Sequence, residues 1–155
     1  MTVRRSAGLL LFRTPGPGTE VLIGHMGGPF WARRDQAAWS IPKGEYADDE
    51  APEAAAVREF TEELGLPAPD GPYLPLGDVR QAGGKTVTVW AVEADLDPAA
   101  VVPGTFTLEW PRGSGRIQEF PELDKVAWLP LEQARDKLVA AQRAFLDRLA
   151  ELLAG

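Results

Sequence analysis

The sequence predicts a mixed α/β domain, a β-sheet that includes hairpins and carries helices on its faces. Three patterns lead to this. Short apolar or alternating runs recur as strands, the segment ending at Leu64 is helical and amphipathic, and the C-terminal stretch spaces its apolar residues helically. Strands that alternate irregularly with helices, with hairpins among them, argue for a mixed sheet rather than a purely parallel one. A chain of 155 residues suits a single domain, 1–155, with a sizeable core.

In chain order, Ser6 to Phe12 is an apolar run and reads as a buried strand. Thr14 to Gly18 is a Pro/Gly turn, and Glu20 to Gly24 is a second strand that completes a hairpin. His25 to Gln36 reads as a loop holding Phe30, Trp31, Arg33 and Arg34, a set able to stack a base and hold a phosphate. His25 is the chain's single histidine and reads as a packing or surface residue. Trp39 to Gly44 is extended, because Pro42 biases Ile41 away from helix. Asp49 can cap the following helix, Pro52 suits its first turn and Gly65 its C-terminal end. Tyr73 to Gln81 and Lys85 to Ala94 read as strands joined by a Gly83-Gly84 turn. In the second, Val87, Val89 and Ala91 alternate with Thr86, Thr88 and Trp90. Asp95 to Gly104 is loop, Thr105 to Trp110 a short strand, and Pro111 to Arg116 a flexible basic segment. Ile117 to Asp124 reads as a loop, and Lys125 to Leu129 as the last strand. Leu131, Ala134 and Leu138, then Phe145, Leu149 and Leu152, predict one or two C-terminal helices that cover the sheet.

Composition excludes several classes of function. The net charge of −7 makes general binding of nucleic acid or an anionic membrane surface unfavourable. With no cysteine there is neither a disulfide framework nor thiol chemistry. No apolar run approaches the length of a membrane span, and Ala7 to Phe12 is short for a signal peptide, so the cytoplasm is the expected location.

The chemistry concentrates in Gly44 to Leu66. On a helix, Glu62 and Glu63 lie one turn beyond Glu59 and flank it, while Val57, Phe60 and Leu64 fall on the other side. Three like charges so close repel one another, and a hard divalent cation that prefers carboxylate oxygens reverses the sign. The alternative is a solvated acidic face with Arg58 paired to Glu62.

The spacing around these residues is more specific. Gly44, Glu50, Arg58-Glu59, Phe60, Glu62-Glu63, Gly65 and Leu66 fit the pattern G-x5-E-x7-R-E-U-x-E-E-x-G-U, with U apolar. This resembles the signature of the Nudix hydrolase family at every defined position. The resemblance implies an α/β/α sandwich with a mixed sheet. It also implies hydrolysis, by water, of a pyrophosphate bond in a nucleoside diphosphate linked to another group. Mg²⁺ or Mn²⁺ would be held by Glu59, Glu62, Glu63 and the Gly44 carbonyl, with Glu50 and Arg58 paired as a brace between loop and helix. Glu59 and Glu63 are then candidate catalytic groups. Outside the motif, Glu119 is the preferred candidate for a general base, ahead of Glu122, and Lys43, Arg33 and Arg116 are candidate phosphate contacts. The whole chain is similar in look to predicted nucleoside triphosphate pyrophosphohydrolases, and Trp39 to Gly44 to diadenosine polyphosphate hydrolases. The expected partner is therefore a small nucleotide polyphosphate. A Nudix-fold module that binds a nucleotide without cleaving it is the alternative.

Overall fold

The computed structural model describes residues 4–155; the first three positions of the expected 1–155 domain lie outside the described residues. One sheet of seven strands forms the middle layer. Its strands are β1 (Arg5–Arg13), β2 (Glu20–Met26), β3 (Trp39–Ser40), β4 (Lys43–Glu45), β5 (Leu74–Arg80), β6 (Thr86–Glu93) and β9 (Leu123–Pro130). Helix α1 (Pro52–Leu64) covers one face; α2 (Leu131–Lys137) and α3 (Arg143–Ala154) cover the other. Strands β7 (Thr105–Glu109) and β8 (Ile117–Pro121) form a separate antiparallel hairpin. Among the described residues no helix is long and apolar enough to cross a membrane.

Strand β1 is buried on both faces, which explains its continuous apolar run. Its side chains alternate between two cores. Ala7, Leu9 and Leu11 pack with Ala55, Ala56, Phe60 and Leu64 of α1. Leu10 and Phe12 pack with Phe145, Leu146 and Leu149 of α3. The pairing of β1 with β6 is parallel and its pairings with β2 and β4 are antiparallel, so the sheet is mixed, as the sequence predicts.

The 39–45 segment splits the sheet. β1 and β2 pair only at Phe12 with Val21 and Arg13 with Glu20, beside their turn. Farther along, β3 takes the free edge of β2 and β4 takes the free edge of β1. This wedge delivers Lys43 and Gly44 to the flank of α1. Gly8 is needed beside it, since a Cβ there would collide with the Pro42 carbonyl.

Four local expectations change. His25 and Met26 continue β2 instead of starting the loop, because β9 pairs along its whole length. Ala51, rather than Asp49, is the residue before α1, and no side chain caps the helix; Pro52 does occupy the first turn and Gly65 ends it with φ 68°. Ile117 to Pro121 is a strand, paired from Glu109 with Ile117 to Thr105 with Pro121, where a loop was expected. Leu152 stays 40% exposed although it follows the helical spacing of Phe145 and Leu149, so the buried stripe of α3 ends at Leu149.

Candidate active site

Helix α1 presents one packed side and one charged side at its C-terminal half. Phe60 and Leu64 are fully buried. Arg58 occupies the centre of the charged side. Its Nε and one terminal nitrogen donate to the two Glu50 oxygens, each at 2.8 Å. The other terminal nitrogen donates to Glu59 at 2.8 Å and Glu62 at 3.1 Å. The expected Glu50–Arg58 contact is therefore present as a bidentate pair linking the 46–51 loop to the helix. These carboxylates raise the Arg58 pKa further above its ordinary value, the Glu50 hydrogen bond first among them, and Arg58 in turn lowers that of Glu50.

The three motif glutamates are not equivalent. Glu62 is the most open, with its side chain 58% exposed beside Arg58. Glu59 is pressed into the structure at 12%. Its carboxylate lies against Gly44, and a Cβ at that position would displace it. Burial raises the Glu59 pKa against the opposing effect of Arg58. Glu63 is shifted most, pushed up to about 8 chiefly by burial, with the charges of Glu122 and Glu59 adding to it. The Lys43 ammonium and backbone N–H face Glu63 and oppose the shift. Lys43 is itself lowered, by burial first and then by Lys85.

Glu59, Glu63, Lys43 and the Gly44 backbone thus come together, with Glu122 close enough to be felt. Glu122 is fixed by its backbone, which donates to the Gly104 carbonyl at 2.7 Å and accepts from Gly27 N–H at 3.0 Å. Gly104 N–H donates to the Glu63 carbonyl at 3.2 Å, tying this connection to the end of α1. Glu119 sits apart, exposed on β8 opposite Thr107. Arg33 and Arg116 are exposed on their loops, outside the set of charges that surrounds Glu63.

A cavity of about 430 Å³ opens beside Lys43. Met26, Trp31, Ala82 and Val139 give it apolar walls, and Ser40, Gln81 and Gln142 give it polar ones. Gln142 is fully buried and accounts for its whole amide. Its oxygen accepts from Ile41 N–H at 2.9 Å, and its nitrogen donates to Ser40 at 3.0 Å and Gln81 at 3.1 Å. Nothing in the sequence marks this residue, since one glutamine in a helical stretch reads as solvated. His25 is structural: Nδ1 lies 2.7 Å from Asp124 and Nε2 2.6 Å from the Arg34 carbonyl.

Among the described residues, no three acidic or imidazole side chains converge tightly enough to share an ion as they stand. In this arrangement Arg58 holds Glu59 and Glu62 by hydrogen bonds. The donor chemistry still suits a hard divalent cation: half-buried carboxylates destabilised by burial, beside a backbone brought close by glycine.

An α/β/α sandwich with this acidic helix defines the class, and comparison with known proteins identifies it. A model of the NUDIX domain matches residues 2–149, and the chain belongs to the Nudix hydrolase family. An RNA pyrophosphohydrolase from Hahella chejuensis is 48% identical over 48 residues, which is 30% of this chain and 30% of that protein. The chain thus matches under a third of that relative's length. Over nearly the whole fold it is similar to a C. elegans Ap4A hydrolase binary complex, with TM-score 0.68, 22% identity and 99% of each chain covered. It is also similar to RenU, a Nudix hydrolase from M. smegmatis, with TM-score 0.59 and 29% identity over 96% of this chain and 84% of that one.

Proposed function

We propose that this protein hydrolyses a phosphoric anhydride bond in a nucleoside or dinucleoside polyphosphate, with a divalent cation as cofactor. The observation that carries the reading is the meeting of Glu59 with Gly44 and of Glu63 with Lys43, the lysine also lining a cavity that Trp31 walls in part. A relative named RNA pyrophosphohydrolase and a structural neighbour named Ap4A hydrolase support the same bond type.

In this reading the cavity beside Trp31 takes the nucleoside and Lys43 faces the phosphates. Glu59, Glu62, Glu63 and the Gly44 carbonyl hold Mg²⁺ or Mn²⁺, which would neutralise charge on the phosphate oxygens. Glu62 and Glu59 must first give up hydrogen bonds to Arg58. Proton acceptance from the attacking water falls to a carboxylate outside that set, because a nearby cation keeps its ligands ionised and weakly basic. Between the two candidates, Glu122 is favoured over Glu119, since it is the one whose charge reaches Glu63. Glu122→Gln should then lower kcat by about 10²-fold or more and Glu119→Gln by less than about twofold.

The test is a screen of nucleoside polyphosphates, dinucleoside polyphosphates and 5′-triphosphorylated RNA with Mg²⁺ or Mn²⁺, with products identified by mass. Cleavage of an anhydride that stops in excess chelator supports the proposal. Undiminished hydrolysis in chelator removes the cation from it, and no cleavage of any compound removes the activity.

A further inference from the structure

Phe30 and Trp31 are neighbours in sequence but line different cavities. Trp31 walls the one beside Lys43. Phe30 walls a second, of about 440 Å³, with Leu108, Glu109, Trp110 and Arg112 of the β7–β8 hairpin. The Phe30 and Trp110 ring centroids are 6.5 Å apart with the planes tilted by 52°, so the two rings form an open wedge. Phe30 is 63% exposed and contributes little to either core. An aromatic ring kept in water at a cavity mouth is a common feature of surfaces that stack bases.

The charge around this cleft suits an anion joined to a base. Arg112 lines it and Arg116 stands in the same turn; among the described residues neither forms a salt bridge. The Glu109 carboxylate accepts from Gly113 N–H at 2.9 Å within that turn.

The hairpin is also seated on the candidate active site. Gly28 lies against Phe106, and a Cβ on Gly27 would overlap the Pro121 carbonyl. At the other end of β8, Glu122 follows Pro121 directly and is felt by Glu63. At about 3.3 Å per residue, the six steps from Gly104 through β7 place Trp110 roughly 20 Å along the hairpin from its base.

Two aromatic clefts on either side of one loop, with the carboxylates beside the first and arginines beside the second, fit a ligand with a base at each end. We propose that the Phe30–Trp110 cleft binds a second nucleobase, on the far side of the polyphosphate from the one in the Trp31 cavity, so that the substrate is a dinucleoside polyphosphate. The proposal rests on the pyrophosphohydrolase reading and narrows its substrate.

The experiment compares diadenosine tetraphosphate with adenosine 5′-tetraphosphate, which lacks the second base, in wild type, Phe30→Ala, Trp110→Ala and Trp110→Phe. The ratio of kcat/KM for the first to that for the second should fall by about 10-fold in Phe30→Ala and Trp110→Ala, within the range of base–aromatic stacking, and through KM. Trp110→Phe keeps a ring and should recover most of the ratio, which separates loss of stacking from loss of the hairpin. Calorimetric titration of the same two compounds in Ca²⁺ reads the cleft without turnover. Tighter binding of the two-base compound that is lost in Phe30→Ala supports the cleft even if neither compound is cleaved, an outcome that fails the hydrolase reading alone. Equal affinities, or an unchanged ratio in both alanine variants, overturns the second-base assignment.

Discussion

The two sides of α1 solve opposite problems with residues one position apart. Phe60 and Leu64 are fully buried among aliphatic neighbours, where each apolar contact favours the fold. Glu59 and Glu63 flank them, and burial works against both, raising the pKa of each. The packed side therefore contributes stability, while the carboxylate side holds ionisable groups in an environment that disfavours their charge, as sites for charged ligands commonly do. If this division holds, substitutions on the two sides should have opposite signatures.

The largest effect belongs to the packed side. Phe60→Ala should cost about 3–5 kcal/mol of unfolding free energy in a denaturant titration, because the ring sits in a closed core that cannot collapse around the space it leaves. Glu62→Gln, on the exposed rim, should change stability by less than about 0.5 kcal/mol. A Phe60→Ala protein with an unshifted midpoint would show that α1 is not held by this face.

Next come the carboxylates. Glu59→Gln and Glu63→Gln should each lower kcat by about 10²-fold or more, with folding intact in far-UV circular dichroism and thermal melts. Wild-type turnover in both variants would remove these side chains from the chemistry and leave α1 as a purely structural helix.

The contrast also has a pH signature. A carboxylate whose folded pKa lies above its unfolded value binds more protons in the fold, so stability falls as pH rises through the interval between the two. For Glu63 that interval runs from its ordinary 4.5 to about 8, and the raised Glu59 acts in the same direction. In excess chelator the melting temperature should therefore decline from pH 5 to pH 8, by more than the rest of the protein accounts for. Glu63→Gln, which cannot ionise, should flatten that decline. A slope that is the same in wild type and Glu63→Gln would mean that solvent reaches the carboxylate freely.

The same contrast explains what was legible in the sequence. The packed side announces itself by periodicity, as do β1, β6 and the C-terminal helices, because burial selects residue types at fixed spacing. The motif announces itself by spacing too, and the structure brings Glu59 against Gly44 and Glu63 against Lys43. Contacts made across the fold leave no such trace. Four carboxylate oxygens around Arg58, the buried amide of Gln142 and the wedge of residues 39–45 between β1 and β2 depend on where distant segments meet. Ile117 to Pro121 was hidden for another reason: as one strand of an exposed two-stranded hairpin it needs no apolar face, so Gln118, Glu119 and Pro121 read as loop. The sequence favours Glu119 over Glu122 because Glu119 lies beside the flexible basic 111–116 segment; the backbone contacts that tie Glu122 to Gly104, and Gly104 to the end of α1, leave no trace in it.

The smallest effect tests what Arg58 does between the two sides. It braces the 46–51 loop through Glu50, and it also occupies Glu59 and Glu62 with one nitrogen. These roles oppose each other for a cation, since the brace keeps Gly44 in position while the guanidinium competes for the same carboxylates. Glu50→Gln weakens the brace and leaves the whole positive charge facing Glu59 and Glu62, so both consequences lower affinity. Arg58→Ala loses the brace but frees the two carboxylates, so its consequences partly cancel. Mn²⁺ affinity measured by electron paramagnetic resonance should therefore fall by about 10-fold or more in Glu50→Gln, the lower end of what outer-shell substitutions cost a metal site. In Arg58→Ala it should fall by only a few-fold. A larger loss in Arg58→Ala than in Glu50→Gln would make Arg58 chiefly a brace, with competition for the carboxylates counting for little. Unchanged affinity in both would show that neither residue supports the cation, leaving the Glu50–Arg58 pair a feature of the loop alone.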